Sequence, residues 1–262
     1  KMRSLSIAAT GMLAQQLNVE VISNNIANMN TTGFRRQRAE FQDLLYQNLR
    51  RSGTQSSDTG TVVPAGVEVG TGVKTSAVYR ISEQGNLQST DNTYDVAIQG
   101  KGFFRVTLPS GEDAYTRAGS FQVSADGQLV TADGYVVAPG ITIPTDAIDV
   151  SINNNGEVSV KVDGTVAPSV VGQFEMAIFF NDAGLEAKGG NLFMETPASG
   201  TAAAGVPGSP GYGSVLQGFL ETSNVNPVAE ITSLITAQRA YEMNSRVITA
   251  SDEMLRTMAN LR

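Results

Sequence analysis

Cysteine, histidine and tryptophan are all absent from the 262-residue chain. Without histidine the commonest general base near neutral pH is missing, and with it any Ser-His-Asp arrangement. Without cysteine there is no disulfide, thiolate nucleophile or zinc-thiolate site, and no thiol to mispair in an oxidising compartment. Charge is also scarce, at 16% of residues against about 25% in ordinary globular proteins. Much of the surface must then be uncharged, which suits a protein surrounded by other protein. The 25 acids outnumber the 18 bases for a net charge of −7, which argues against a nucleic-acid partner, because counterion release needs a basic face. No run of apolar residues is long enough to predict a membrane span. The start does not read as a signal peptide: Ser4 to Ala14 is short, carries Thr10 and Gly11, and continues as a helix. A role outside the cytoplasm would therefore require export without a cleaved signal.

What is present reads as helix, β-rich middle, helix, with a length that suits one large or two modest domains. Leu5, Met12, Val19 and Ile26 fall in a heptad series supported by Ala8 and Ile22. The other faces of this helix are uncharged: Glu20 is the only charge between Ser4 and Gly33. An exposed helix normally carries charges for solubility and pairing, so contact with protein on more than one side is expected. Near the other end, Leu234, Tyr241, Ile248 and Leu255 form a second heptad series beside Ala240, Val247, Met254 and Leu261. Pro227 suits a first helical position after Asn224 or Asn226 as cap. The predicted helix is roughly 45 to 50 Å long at about 1.5 Å per residue. Two terminal helices with heptad seams pair most simply with each other, as a coiled coil.

Between them the pattern predicts an antiparallel β-domain of hairpins. Short runs of Val, Ile, Phe and Thr in residues 93–195 are cut by Asp126-Gly127, Asp133-Gly134, Asn155-Gly156 and Asp163-Gly164. The repeated ADG lacks the oxygen spacing and closing Glu of a calcium loop, so hairpin turns are the reading. Residues 52–73 and 196–213 are rich in small residues and read as loops or arms. Disorder is the simpler expectation for the second, whereas Val62, Val67, Val69 and Val73 give the first some capacity to pair as β.

Enzyme and nucleotide motifs fail on inspection. Gly100-Lys101-Gly102 is not a P-loop, and neither G-x-G-x-x-G at a helix start nor G-x-S-x-G occurs. The bases Arg35, Arg36, Arg38, Arg50 and Arg51 read as a solvated or salt-bridging face. No cofactor, metal or small-molecule substrate is implied. A ligand-binding secreted β-domain (an adhesin) and a carboxylate hydrolase remain as competing readings, the first predicting an apolar pocket and the second a pair of buried acids.

SNNIANMNTTGFRR, Ser23 to Arg36, resembles the signature of the bacterial flagellar rod and hook axial proteins. Its Asn24, Asn25, Asn28, Thr32, Gly33 and Phe34 match that signature, although Met29 stands where a small residue is expected. NPVAEITSLITAQRAYEMNSRVITASDEML (Asn226 to Leu255), QGKGFFRV (Gln99 to Val106) and YTRAGSFQVSADGQLVTADGYVV (Tyr115 to Val137) resemble the same family. The segment from Leu44 to Lys74 is similar to the extended arm of the family's distal-rod branch; another rod or a hook-type subunit is the alternative.

The resemblance implies an α+β fold: residues 1–35 an inner helix, 36–92 a connecting segment with a β arm, 93–220 the antiparallel β-domain, 221–262 the partner helix. It implies a self-assembling tube around an export channel, with proximal rod proteins, hook protein and the basal-body P and L rings as partners. The location implied is the basal body in the periplasm, reached by the flagellum's own export route. Leu5, Met12, Val19, Ile22, Ile26, Leu234, Tyr241, Ile248 and Leu255 are the expected assembly seam, and Val62, Val67, Val69 and Val73 the stiffening arm.

Overall fold

The computed structural model describes residues 3–50, 66–165 and 167–260. These fold as two compact units, one holding the described residues of Lys1–Ile26, Gln37–Tyr79 and Asn226–Arg262, the other Ala27–Arg36 and Arg80–Val225.

The first unit is built on two helices, α1 (Arg3–Ala27) and α2 (Pro227–Asn260). Pro227 opens α2 without losing a hydrogen bond, since the first amides of a helix have no internal acceptor. The Asn226 side chain accepts from the amides of Val228 and Ala229 at 3.1 and 3.3 Å and so caps the helix. The two helices run antiparallel. Ser4 Oγ lies 3.1 Å from Ser251 Oγ, Asn25 Nδ2 donates to Glu230 Oε2 at 3.2 Å, and a Cβ on Gly11 would sit 2.9 Å from the amide nitrogen of Asn244. In each pair the two residue numbers add to 255, as one antiparallel register requires.

A strand at Gln37–Asp43 pairs with Val73–Arg80, and Tyr46–Arg50 pairs with Val67–Gly70. The amide of Val73 donates to Thr10 Oγ1 at 3.3 Å, so this β arm meets α1 on the face that also carries the buried Ala14 and Val21. Val67 and Val69 thus sit in a strand paired within the chain, and Val73 begins another. Val62 lies outside the described residues.

The second unit is built of antiparallel β strands, with a 3-10 turn at Asp182–Gly184. Its centre is the strand Phe103–Thr107 of a nine-stranded sheet, paired along one edge with Asp113–Thr116. The opposite edge is shared: Met176–Ile178 covers the Phe103 end and Val136–Val137 the Thr107 end. Successive side chains of a strand point to opposite faces, which is why the adjacent Phe103 and Phe104 serve two cores. Phe104 packs with Phe121 and Phe174 at ring distances of 5.1 and 5.7 Å. Phe103 packs with Phe179 and Phe193 at 5.9 and 6.0 Å. A three-stranded sheet, Ala147–Ile152, Glu157–Val162 and Ser169–Gln173, closes the main core.

The expected hairpin turns are present: Gly127, Gly134, Gly156 and Gly164 all have positive φ, the conformation for which glycine is suited. Residues 196–213, expected to be disordered, are instead built in. Ala203–Gly205 pairs with Met176–Ile178, the Tyr212 hydroxyl donates to Ala203 O at 3.0 Å, and the Gly213 amide donates to Lys101 O at 2.8 Å. Small residues there permit close backbone approach: a Cβ on Gly205 would lie 2.4 Å from the Tyr212 ring.

Candidate functional site

The segment from Asn24 to Arg36 contributes to both units, and each anchors its part by side-chain amides and buried charge. In the helical unit Asn25 is 1% exposed and satisfies both backbone groups of Gln37: Nδ2 donates to Gln37 O, and Oδ1 accepts from the Gln37 amide, each at 2.8 Å. An asparagine side chain presents the donor and acceptor of a peptide group, so this pairing imitates a strand at the point where the chain must turn. The same Nδ2 reaches Glu230 in the first turn of α2, where a carboxylate also complements the helix dipole.

In the β unit the turn after α1 closes with the Thr31 amide donating to Asn28 O at 3.1 Å. Gly33 follows with φ +67, and its amide donates to Glu221 O at 2.8 Å. A Cβ there would lie 2.9 Å from the backbone of Arg117 and Ala118, so both the conformation and the close approach demand glycine. Asn28, Thr32 and Phe34 are half-buried and Asn24 is exposed. Met29 is exposed too, so its size meets no packing constraint in this chain.

Beneath the turn lies a buried Arg–Glu–Arg triad. Glu221, 1% exposed, receives Arg35 Nη1 at 2.8 Å on one oxygen and Arg117 Nη2 at 2.7 Å on the other. The Gly85 amide also donates to Glu221 at 3.0 Å. Arg117 completes its valence with the carbonyls of Gly100, Gly102 and Ile98 at 2.9, 2.6 and 3.2 Å. The Gly-Lys-Gly that fails as a phosphate loop is therefore the seat of a structural guanidinium. Burial lowers the pKa of Arg35, opposed by the Glu221 carboxylate beside it.

Asn224 joins three segments nearby. Its Oδ1 accepts from the Arg36 amide at 2.7 Å, and its Nδ2 donates to Ile81 O and Glu83 O at 3.0 and 2.9 Å. The sequence offers Asn224 only as a possible cap for α2, a role that Asn226 takes instead, and neither Arg117 nor Glu221 stands out in it. Their partners are too distant along the chain for any local pattern, although Arg117 does fall inside the YTRAG stretch that carries the resemblance.

The heptad positions divide by burial within the chain. Ile22 is buried; Leu5, Met12, Val19, Ile26, Leu234 and Ile248 are half-buried; Tyr241 and Leu255 are exposed. The closest approach between the helices uses small and polar side chains, Ser4, Ala8, Gly11 and Asn25 against Glu230, Ala237, Asn244 and Ser251. Small residues at the centre let the backbones approach, and the larger heptad residues flank that line. Among the described residues no cluster of three or more His, Cys, Asp or Glu side chains has the arrangement of a metal site.

Three family models match the chain: "Flagella basal body rod protein" over residues 5–35, "Flagellar hook protein FlgE/F/G D1 domain" over 97–160, and "Flagellar basal body rod FlgEFG protein C-terminal" over 216–261. Among curated relatives, the flagellar basal-body rod protein FlgG of Caulobacter vibrioides is 61% identical over 261 residues, covering 100% of both chains. That of Agrobacterium fabrum is 55% identical over 97% of each, and that of Bacillus subtilis 41% identical over 100% of this chain and 99% of its own.

Proposed function

The chain belongs to the FlgG family of flagellar basal-body rod proteins and is a structural, non-catalytic axial subunit of the flagellum; on that premise we propose that its copies form the distal rod, a rigid helical tube around an export channel. The supporting observation is the composition of the helix pair. Its inner line is small and polar, while Leu13, Ile231, Ile235, Met243, Val247, Met254 and Met258 remain in water. Two helices with so much apolar surface outside their own contact are suited to a layer in which neighbouring copies cover it. In that layer Leu5, Met12, Val19, Ile26, Leu234, Tyr241, Ile248 and Leu255 act as the seam of a coiled-coil packing between subunits.

The arm supplies the stiffness. The antiparallel strands Tyr46–Arg50 and Val67–Gly70 expose Leu49 and Val67, with Leu45 exposed just before them, and the edges of this pair can join a neighbour's backbone. Many such contacts around the tube resist the axial compression that bending requires. Proximal rod proteins lie below the tube, hook protein above, and the P and L rings around it in the periplasm. The subunits arrive through the flagellar export route.

Electron microscopy of the purified chain at high concentration tests the reading. Tubes are expected from the parent. Ile248→Asp, which would place an uncompensated charge in the helical layer, should abolish them while leaving the β unit folded by circular dichroism. A parent that stays monomeric at every concentration overturns the reading.

A further inference from the structure

Phe180 stands fully in water, with a relative exposure of 102%. Alternation explains its direction: Phe179 turns inward against Phe103 and Tyr115, at ring distances of 5.9 and 4.8 Å, so the next side chain points out. The loop beneath it is tightly held. The Asn181 amide donates to Ser199 O at 3.3 Å, its side chain to Ala198 O at 3.1 Å, and the Gly184 amide back to Asn181 O at 3.1 Å. With the backbone beside it held in this way and its ring left in water, Phe180 forgoes one of the larger burial gains a single side chain can make.

The same unit carries a groove of about 380 Å³ whose apolar lining is Leu108, Pro109, Tyr135, Val136 and Pro139. Its rim includes Gly134 and Gly140, where an added Cβ would meet nothing within 4 Å, so the mouth is open. Aliphatic, proline and tyrosine surfaces suit an aromatic ring, which packs edge or face against them.

Knob and groove occupy opposite ends of one strand. Ala177 is opposite Phe103, so Phe180 lies beyond the start of Phe103–Thr107, whereas Val136 is opposite Thr107 and the groove lies beyond its end. Five residues of strand separate them by roughly 17 Å at about 3.3 Å per residue, too far for Phe180 to fill its own groove. We propose that Phe180 of each copy seats in the Leu108–Pro109–Tyr135–Pro139 groove of the next copy. A projection at one end and a receptor at the other form a heterologous, head-to-tail contact, the kind that repeats along an open helical assembly. A second copy is the occupant because identical chains supply one knob per groove, whereas a foreign partner leaves one of the two uncovered. The inference rests on the rod-subunit reading and adds to it a specific axial contact outside the helices.

The absence of native cysteine allows a clean test in cells that carry this chain as their only rod subunit of the kind. In isolated basal bodies, mild oxidation of the double variant Phe180→Cys/Thr107→Cys, the second position an exposed strand residue lining the groove, should give a ladder of dimers, trimers and higher species, and each single variant none beyond a dimer. Rods that contain the double variant but yield no ladder overturn the contact and leave the rod reading intact. If the unsubstituted chain is absent from isolated rods, the rod reading fails and the contact with it. As a second measure that does not depend on thiols, Phe180→Ala in the purified full-length chain should weaken self-association at least tenfold by sedimentation. Unchanged association would also overturn the contact.

Discussion

The two units of this protein bury different kinds of residue. The β unit closes around large side chains, with Phe104, Phe121, Phe174, Ile98, Leu129 and Ile141 almost wholly removed from water. The helical unit buries Ala8, Ala14, Val21, Ile22, Ala237 and Ser251, with Asn25 and Glu230, and leaves many of its larger apolar residues outside. Burial scales with the apolar area removed, so the β unit has the stability of a finished domain and the helical unit has only part of its own. Incomplete burial within one chain is what an assembling element needs, because surface already covered has nothing left to gain from a neighbour.

The contrast is sharpest at the buried triad. Glu221→Gln keeps the shape but removes the anion that serves Arg35 and Arg117, and stranding buried charges in this way costs about 3 to 5 kcal/mol. The β unit should lose that stability, read as faster amide exchange at Phe104 and Val106, while the antiparallel helix register is unaffected. Unchanged exchange at those amides would show that hydrophobic packing alone holds the unit.

A smaller effect is expected in the helices. Ala237 is 2% exposed on the inner line of α2, and Ala237→Leu forces bulk into a close approach at about 1 to 3 kcal/mol, the usual cost of overpacking. Circular dichroism should show an earlier loss of helix on heating with the β transition in place. If both transitions move together, the two units are not independent in stability and the contrast drawn above is wrong.

The smallest effect concerns Asp182. Burial raises its carboxyl pKa above the ordinary value of 3.8, against the lowering influence of Arg117, Arg35 and Lys101. A carboxyl raised in the folded state costs stability when ionised. The cost is absent below the unfolded pKa and fully present once the pH exceeds the folded one. Asp182→Asn should therefore be slightly more stable than the parent at neutral pH, with the advantage vanishing as the pH falls towards 4 and below. A variant less stable at neutral pH would mean that the three nearby cations outweigh burial.

Local signals in the chain coincide with the observed elements where the cause is local. Pro227 and Asn226 mark the start of α2, and the Asp-Gly and Asn-Gly pairs mark turns, because φ restriction and short-range hydrogen bonds act within a few residues. Residues 196–213 misled for the opposite reason. Their composition is that of a disordered segment, yet Gly205 and Gly213 are small in order to lie against Tyr212 and the backbone of Lys101. The heptad series located both helices but not the line along which they meet in the chain, since that line consists of residues such as Ser4, Gly11 and Ser251 that no hydrophobic period detects.

By itself the sequence determined that this chain does no histidine or thiol chemistry, that helices flank a β-rich middle, and that its ends and centre match an axial family of the flagellum. These follow from residue identity and from periodicities that are properties of a short stretch. Only the tertiary structure decided that Glu221 sits between Arg35 and Arg117, that Asn25 imitates a strand for Gln37, and that Phe180 and its candidate groove lie at opposite ends of one strand. Pairings across that much chain depend on how the whole backbone closes, because the desolvation that makes a buried charge or an exposed ring costly exists only once the surrounding elements are in place.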